Sequence, residues 1–336
     1  MPKAPCILVA GGAGYIGSHV AMELAARGFA PLVYDNLSRG RREFLRWGGH
    51  VIADLADAQA LRETFRSHDI AAVMHFAAYA YVGESVEQPE AYYANNVANT
   101  ITLLSAMREA GVDKLIFSST CATYGEPRSL PIDEDHPQAP ISPYGRTKLM
   151  AEQIMADFGQ AYGLKTVCLR YFNAAGADPE GRLGEWHDPE THLIPLVIES
   201  ALDGGPTLQL RGTDYPTPDG TCVRDYIHVT DLADAHILSL KHLLDGGRSR
   251  AYNLGNGQGA SVREVIDCVR RVSGREPKVV EAPRRPGDPP MLVGSSRRIT
   301  AELGWTPRHH SLDDIIRTAW NWRLKRGEPP FPARPA

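Results

Sequence analysis

Residues 8–19 read LVAGGAGYIGSH: an apolar run opens into glycines at 11, 14 and 17 and then resumes with helical spacing. A chain turns this way where a strand must hand over to a helix within a few residues. Lacking Cβ atoms, Gly11, Gly14 and Gly17 permit the tight turn, let backbone N–H groups approach a pyrophosphate, and allow close helix–strand packing. The helix that follows, predicted from about Tyr15 to Arg27, attracts negative charge at its N-terminus. Glycine spacing alone also fits a plain structural turn. The next apolar run, PLVYDN, ends on Asp35, about 20 residues further on, where a carboxylate accepts hydrogen bonds from an adenosine ribose diol. That combination points to NAD. Arg39, Arg41 and Arg42 follow closely and leave NADP open, although Asp35 would repel its 2′-phosphate.

Working outward, CILVAGG, APLVYDN, HVIADL, AAVMHFAA, KLIFSST and KTVCLRYFN are separated by helix-like segments. Strands alternating with helices predict βαβ units, hence an α/β fold with a Rossmann-type doubly wound parallel sheet. After about Gly176 the character changes. DPEGRLGEWHDPETH and GTDYPTPDGTCVRDY are rich in Gly, Pro, Asp and Thr, and long loops on such a scaffold carry binding function. Further helices are predicted near Asp231, Ser261 and Leu312. We divide the chain into an NAD-binding domain, 1–175, and a smaller C-terminal α/β substrate domain, 176–330, allowing chain crossovers between them. The tail GEPPFPARPA reads as a loosely held terminus.

Of 336 residues, 43% are hydrophobic and 23% charged, enough for a substantial core. A formal net charge of -4 offers no broad basic surface for nucleic acid or an anionic membrane, so bound phosphate must be held locally. No run approaches the length of a membrane span and no signal peptide is evident, which places the chain in the cytoplasm. Cys6, Cys121, Cys168, Cys222 and Cys268 are scattered without CxxC spacing, so they read as reduced thiols. The adjacent pair His309–His310 does not converge on one point, and no metal is expected.

The stretch SPYGRTK supplies chemistry. Ser142 can cap a helix, Pro143 suits its first turn, and Tyr144 and Lys148 lie four apart on one face. A tyrosine titrates near 10, but a neighbouring ammonium and an oxidised nicotinamide ring both favour its phenolate, fitting it to act as a base. The strand ending FSSTCATYG adds Thr120, a hydroxyl able to relay a proton to Tyr144. Any exposed helix can carry Tyr and Lys at this spacing. The glycine turn, Thr120 and the pair together argue for a site. His75, in the fourth strand, reads as a core residue.

The pattern G-x-x-G-x-x-G with a downstream Tyr-x-x-x-Lys resembles the extended short-chain dehydrogenase/reductase family. Dehydratases of that family carry an Asp-Glu pair after the position of Thr120, where this chain has Cys121 and Ala122, so dehydration is disfavoured. The motifs GGAGYIGSH, VYDNLSRG, HFAA, VGES, YYANNV, SSTCATYGEP, SPYGRTK, RYFNAAGA, DGTCVRDYIHV, YNLGNG and RRPGD resemble the UDP-glucose 4-epimerases, also called UDP-galactose 4-epimerases, across nearly the whole chain. GRLGEWHDPETHLIP is most similar to bacterial forms serving exopolysaccharide synthesis, and other parts are similar to UDP-arabinose/UDP-xylose 4-epimerases. The resemblance implies tightly bound NAD. It further implies that Tyr144, bridged by Thr120, takes the proton of the sugar 4-hydroxyl, that a 4-ketose forms and turns over, and that reduction from its other face inverts C4. Lys148 is implied to hydrogen-bond the nicotinamide ribose.

The same resemblance assigns Gly11, Gly14, Tyr15, Ile16, Gly17, Asp35, Asn36, Asp54, Leu55, Phe76, Ala77, Ala78 and Tyr171 to the cofactor, along with Tyr144 and Lys148. To the UDP-sugar it assigns Asn95, Thr120, Tyr144, Asn173, His192, Leu193, Gln209, Arg211, Arg224, Arg285, Asp288 and Leu292. Arg224 and Arg285 match diphosphate ligands, where a guanidinium forms paired charge-assisted hydrogen bonds. Ala80 replaces a lysine of several relatives, His192 stands near a position held by asparagine, and Leu292 occupies a position whose size gates the sugar pocket. UDP-xylose/UDP-arabinose and UDP-N-acetylglucosamine therefore stay open as alternatives, as do a net oxidoreductase and a non-catalytic sensor. A homodimer is expected, paired through YYANNVANTITLLSAMREA and SPYGRTKLMAEQIMADFGQAY.

Overall fold

The computed structural model describes residues 4–285 and 288–326. The proline-rich tail and the end of the 176–330 segment lie outside the described residues, as do Pro286 and Gly287 of RRPGD.

Seven strands form one wholly parallel sheet: β1 (Cys6–Ala10), β2 (Ala30–Asp35), β3 (Gly49–Ile52), β4 (Ile70–His75), β5 (Lys114–Thr120), β6 (Lys165–Tyr171) and β7 (Arg250–Leu254). Their order is β7-β6-β5-β4-β1-β2-β3, so the sequence order reverses between β1 and β4. This is the doubly wound arrangement, and ligands bind outside the carboxyl ends of the strands at that reversal.

Alternation along each strand builds two cores. Ile7 and Val9 face one side, where helices Tyr15–Ala26 and Val229–Leu244 add Val20, Leu24, Leu232 and Ile237. Leu8 and Ala10 face the other, against Leu61 and Phe65 of helix Ala58–Ser67, Leu103 and Met107 of Asn99–Glu109, and Ala151 and Met155 of Pro143–Tyr162. Burial on both faces explains why β1, β2, β4, β5 and β6 read as continuous apolar runs, whereas β3, at the sheet edge, is largely exposed. The six strands predicted from sequence are all present. β7 was not foreseen: RAYNL is short, carries Arg250 and Asn253, and is a strand because it pairs with β6.

The second layer gathers helices Leu193–Ser200, Val262–Ser273 and Leu312–Arg326 around Ile194, Val197, Val265, Ile316 and Trp320. Ser261 closes a capping box with Glu264 and starts the middle helix where the sequence placed it. The chain crosses back after residue 176: Val229–Leu244 and β7 belong to the sheet layer, and helix Arg297–Leu303 returns to it with Ile299 and Trp305 buried there. Fully buried Asp225 ties these passages together by accepting from the N–H groups of Asn256 (2.7 Å), Gly257 (3.0 Å) and Gly294 (3.1 Å).

Candidate active site

The glycine turn lies at the strand reversal, and its shape tests the cofactor expectation. Gly11 has φ of +81°, and a Cβ there would fall 2.4 Å from the Ala77 nitrogen; one on Gly17 would fall 2.3 Å from the Gly11 carbonyl oxygen. The loop therefore closes only with bare backbone. Gly14 caps helix Tyr15–Ala26 with no side-chain cap and no acidic residue in the first turn, leaving its N-terminal amides for an anion. At the end of β2, Asp35 is 8% exposed and accepts from Ala13 N (2.9 Å) and Leu37 N (2.8 Å), so its carboxylate is fixed beside the turn. Burial raises its pKa, against those two backbone bonds. Asn36 donates to Asp54 at 2.6 Å, and Leu55 is buried behind them. Phe76 N and Ala77 N both bond the Ala10 carbonyl, which holds the segment Phe76–Ala78 beside the turn.

Two of the three arginines that left NADP open are engaged by other side chains. Arg39 pairs with Glu84 at 2.6 Å and lies over the rings of Tyr79 and Tyr81. Arg41 lies over the Trp186 ring.

Thr120 ends β5, and Ser142 starts helix Pro143–Tyr162 by accepting from Gly145 N at 3.1 Å. That junction brings the three predicted residues together. The Thr120 side chain lies close enough to the Tyr144 hydroxyl to oppose the rise in its pKa, and Thr120 Oγ1 accepts from Ala122 N at 3.2 Å. Lys148, 3% exposed, donates to the Ser118 carbonyl at 2.8 Å and sits over the Phe117 ring. Burial pushes the Tyr144 phenol up to about 12, against the opposing pull of Thr120. Burial also brings the Lys148 ammonium down to about 7, with the Glu152 carboxylate opposing. The sequence reading expected that ammonium to favour the Tyr144 phenolate. In the fold that ammonium donates to a backbone carbonyl and faces an aromatic ring. Tyr171 caps β6 and bonds the Ser118 hydroxyl.

Around this centre Asn95 bonds Asn96, and the backbone N–H of Asn173 bonds the Asp225 carbonyl. Arg224 and Asp288, both assigned to the UDP moiety, form an ion pair at 2.7 Å. Arg285 is exposed. Gln209 and Arg211 lie on the outward face of strand Leu208–Arg211, bonded to each other at 2.6 Å, so their side chains point away from its buried face. Leu292 packs against Cys121, Tyr124, Ile132 and Phe172. His192 precedes helix Leu193–Ser200 and contacts Glu185. His75 is buried and bonds Thr100, as a core residue does, and burial drives its pKa down to about 3.

Sequence reasoning missed three supports. Asn96 bonds the Tyr79 backbone at both its N–H (2.8 Å) and its carbonyl (2.9 Å), and also the Thr147 hydroxyl (3.1 Å). Glu84 joins Arg39 to Tyr92. Glu152 forms a buried two-pronged pair with Arg170 beside Lys148. Each depends on partners distant in sequence.

A Rossmann sheet, a bare-backbone turn with a carboxylate after β2, and a Thr–Tyr–Lys cluster define a nucleotide-dependent enzyme acting on a hydroxyl. Residues 7–255 match the NAD dependent epimerase/dehydratase family, and the chain belongs to it. Within that family it is 54% identical over 322 residues to the UDP-glucose 4-epimerase of Rhizobium meliloti (strain 1021), covering 96% of this chain and 98% of the relative. Among solved structures it is similar to the UDP-glucose 4-epimerase of Brucella ovis in complex with NAD, with a TM-score of 0.92, 53% identity, and coverage of 95% and 98%. A Bifidobacterium longum UDP-glucose 4-epimerase in complex with NAD+ and UDP follows at 37% identity and a TM-score of 0.91, over 95% and 98% of the two chains.

Proposed function

We propose that this protein interconverts UDP-glucose and UDP-galactose by inverting C4 of the sugar through a transient 4-keto intermediate, with NAD as resident cofactor. The observation that carries the reading is the convergence of Thr120, Tyr144 and Lys148 at the carboxyl end of β5, beside the glycine turn. NAD, when bound, accepts and returns the hydride at C4 and brings a positive charge to the site. Gly11, Gly14, Tyr15, Ile16 and Gly17 hold its pyrophosphate, Asp35 and Asn36 its adenosine ribose, and Asp54 and Leu55 its adenine. Phe76, Ala77, Ala78 and Tyr171 line it.

The chain's own groups do the proton work. Tyr144 accepts the proton of the 4-hydroxyl, directly or through Thr120, and returns it after inversion. Its phenol is held neutral by burial, so the reaction needs an added positive charge nearby to form the phenolate. Lys148 orients the ribose. Arg224, Arg285 and Asp288 grip the UDP, joined by Asn173, His192, Leu193, Gln209 and Arg211, while Asn95 and Leu292 face the sugar. A firm hold on UDP with a loose hold on the hexose lets the ketose present either face.

The chain acts as a homodimer in the cytoplasm. Exposed Ile101, Met150 and Tyr162 on helices Asn99–Glu109 and Pro143–Tyr162 support the pairing, and the scattered thiols support the compartment. Among the described residues no helix is long and apolar enough to cross a membrane.

The test is proton NMR of the anomeric signals of UDP-galactose incubated with purified protein and no added nucleotide. Appearance of UDP-glucose to a stable mixture is expected; steady production of reduced nucleotide instead would mark a net oxidoreductase. Tyr144→Phe should abolish turnover while NAD stays bound, and a wild-type rate in that variant would remove Tyr144 as the base.

A further inference from the structure

The segment Glu185–His192 gathers four side chains with metal-ligating atoms into one small space. Glu185, His187, Glu190 and His192 each present one such atom, and all four lie within 4.8 Å of one another. His187 Nδ1 is 3.2 Å from Glu185 Oε1 and 3.6 Å from Glu190 Oε2, and His192 Nδ1 is 3.7 Å from Glu190 Oε1 and in contact with Glu185 Oε1. Tetrahedral ligands at about 2.0–2.1 Å from an ion stand about 3.3 Å apart, near the His187–Glu185, His187–Glu190 and His192–Glu190 separations, while the His192–Glu185 contact has to lengthen as an ion enters.

We propose that these four residues bind a divalent transition-metal ion, Zn2+ by the match of two imidazoles and two carboxylates in a four-coordinate set. The carboxylates are the unusual feature: the Glu185 and Glu190 side chains are 7% and 1% exposed. Buried charges require compensation. Protonated histidines could supply it, and the carboxylates do raise His187 to about 10 against the effect of its burial. Yet both Nδ1 atoms then crowd one oxygen of Glu185, with two cationic rings 5.2 Å apart. His187 Nδ1 and Glu190 Oε2 are also both buried without a hydrogen-bond partner. A dication at the centre neutralises the two carboxylates, leaves the imidazoles neutral, and gives both orphaned atoms a partner.

The surroundings are built to hold the segment still. Trp322 Nε1 bonds the Glu185 carbonyl at 3.0 Å, Tyr81 Oη bonds the Pro189 carbonyl at 3.2 Å, and Glu190 Oε1 accepts from Thr191 N and His192 N. The rings of Tyr15 and Tyr81, from the sheet layer, pack edge-on against His187. The ion cross-links the loop leading into helix Leu193–Ser200 to itself, so that it presents one fixed face to Tyr15 and Tyr81, and it takes no part in the hydroxyl chemistry.

The experiment uses the full chain, stripped with a chelator, dialysed against zinc-free buffer and reloaded with Zn2+ or Co2+ alone. Elemental analysis should find stoichiometric zinc that survives desalting, and the cobalt form should show the intense visible absorption of a four-coordinate N/O site. His187→Gln and Glu190→Gln should each weaken retention by more than the roughly 10–100-fold that loss of an outer-shell partner costs. Far-UV circular dichroism confirms that the variants fold. Failure of the wild-type chain to take up stoichiometric metal, or uptake unchanged in both variants, would overturn the proposal in favour of a doubly protonated salt-bridge cluster. Because the readouts are metal content and spectrum, they stand apart from any result on epimerisation.

Discussion

Replacing Gly17 by alanine puts two physical effects in opposition. Gly17 lies in the first turn of helix Tyr15–Ala26, where glycine-to-alanine exchange in an open helix stabilises by about 1 kcal/mol. Packing predicts the reverse. The new Cβ would sit 2.3 Å from the Gly11 carbonyl oxygen and 2.9 Å from Gly12 Cα, both backbone atoms of the turn. Comfortable separations are about 3.5 Å, so the helix and turn must part by about 1 Å. Overpacking of this kind costs about 1–3 kcal/mol, and with rigid backbone on the opposing side the upper end applies. Net destabilisation of about 2 kcal/mol lowers the melting temperature of a chain this long by roughly 3 °C, and the shifted turn no longer matches a pyrophosphate. Gly14→Ala is the control: its Cβ would meet only the Gly11 oxygen, at 3.3 Å, and should cost about 1 kcal/mol or less while NAD is retained. Thermal unfolding and NAD released from denatured protein read both effects. A Gly17→Ala protein that melts at or above the wild type with full NAD content would refute the packing argument.

Buried neutral histidines set the acid limit. Burial lowers His19 and His236 to about 4 and His75 and His228 to about 3, so each must take up a proton on unfolding. Stability is complete above the ordinary histidine value of about 6.5 and falls as the pH drops toward 3 to 4. Urea midpoints across that window should decline steeply, and a flat profile from 6.5 to 4.5 would contradict it. Glu152→Gln leaves Arg170 buried without its partner and should cost about 3–5 kcal/mol in urea unfolding, while moving Lys148 further below its ordinary value. A loss under about 1 kcal/mol would mean that the pair is not buried as described. Leu292 should keep turnover of N-acetylated sugars slow, and Leu292→Gly should raise it relative to UDP-galactose. Equal wild-type rates on UDP-galactose and UDP-N-acetylgalactosamine would remove the gate.

What the sequence made legible follows from range. β1, β2, β4, β5 and β6 are apolar on both faces and announce themselves locally, and Ser142 and Ser261 mark helix starts by their own side chains. Thr120, Tyr144 and Lys148 were legible because strand end and helix start each carry a local signature. β7 was silent, since its identity rests on β6, 83 residues away at the paired positions Arg250 and Val167. Arg39 left NADP open because nothing near it in sequence reveals Glu84, 45 positions on. The hydrogen bond from Lys148 to the Ser118 carbonyl was not legible, because Ser118 lies 30 residues earlier on the neighbouring strand. His192 was read for its place in a motif, while its closeness to Glu185, His187 and Glu190 came only from the folding of that loop.

The repeated passage of the chain between layers has a mechanical consequence. Opening two bodies about a hinge requires a connection that can bend at one or two places. Here the chain runs between the layers at 172–175, 225–229 and 255–259, and Asp225 bolts the second passage to the third and to Gly294. Bending one connection strains the others. Any hinge between the two layers therefore has to flex at all three passages together, which restricts their relative motion.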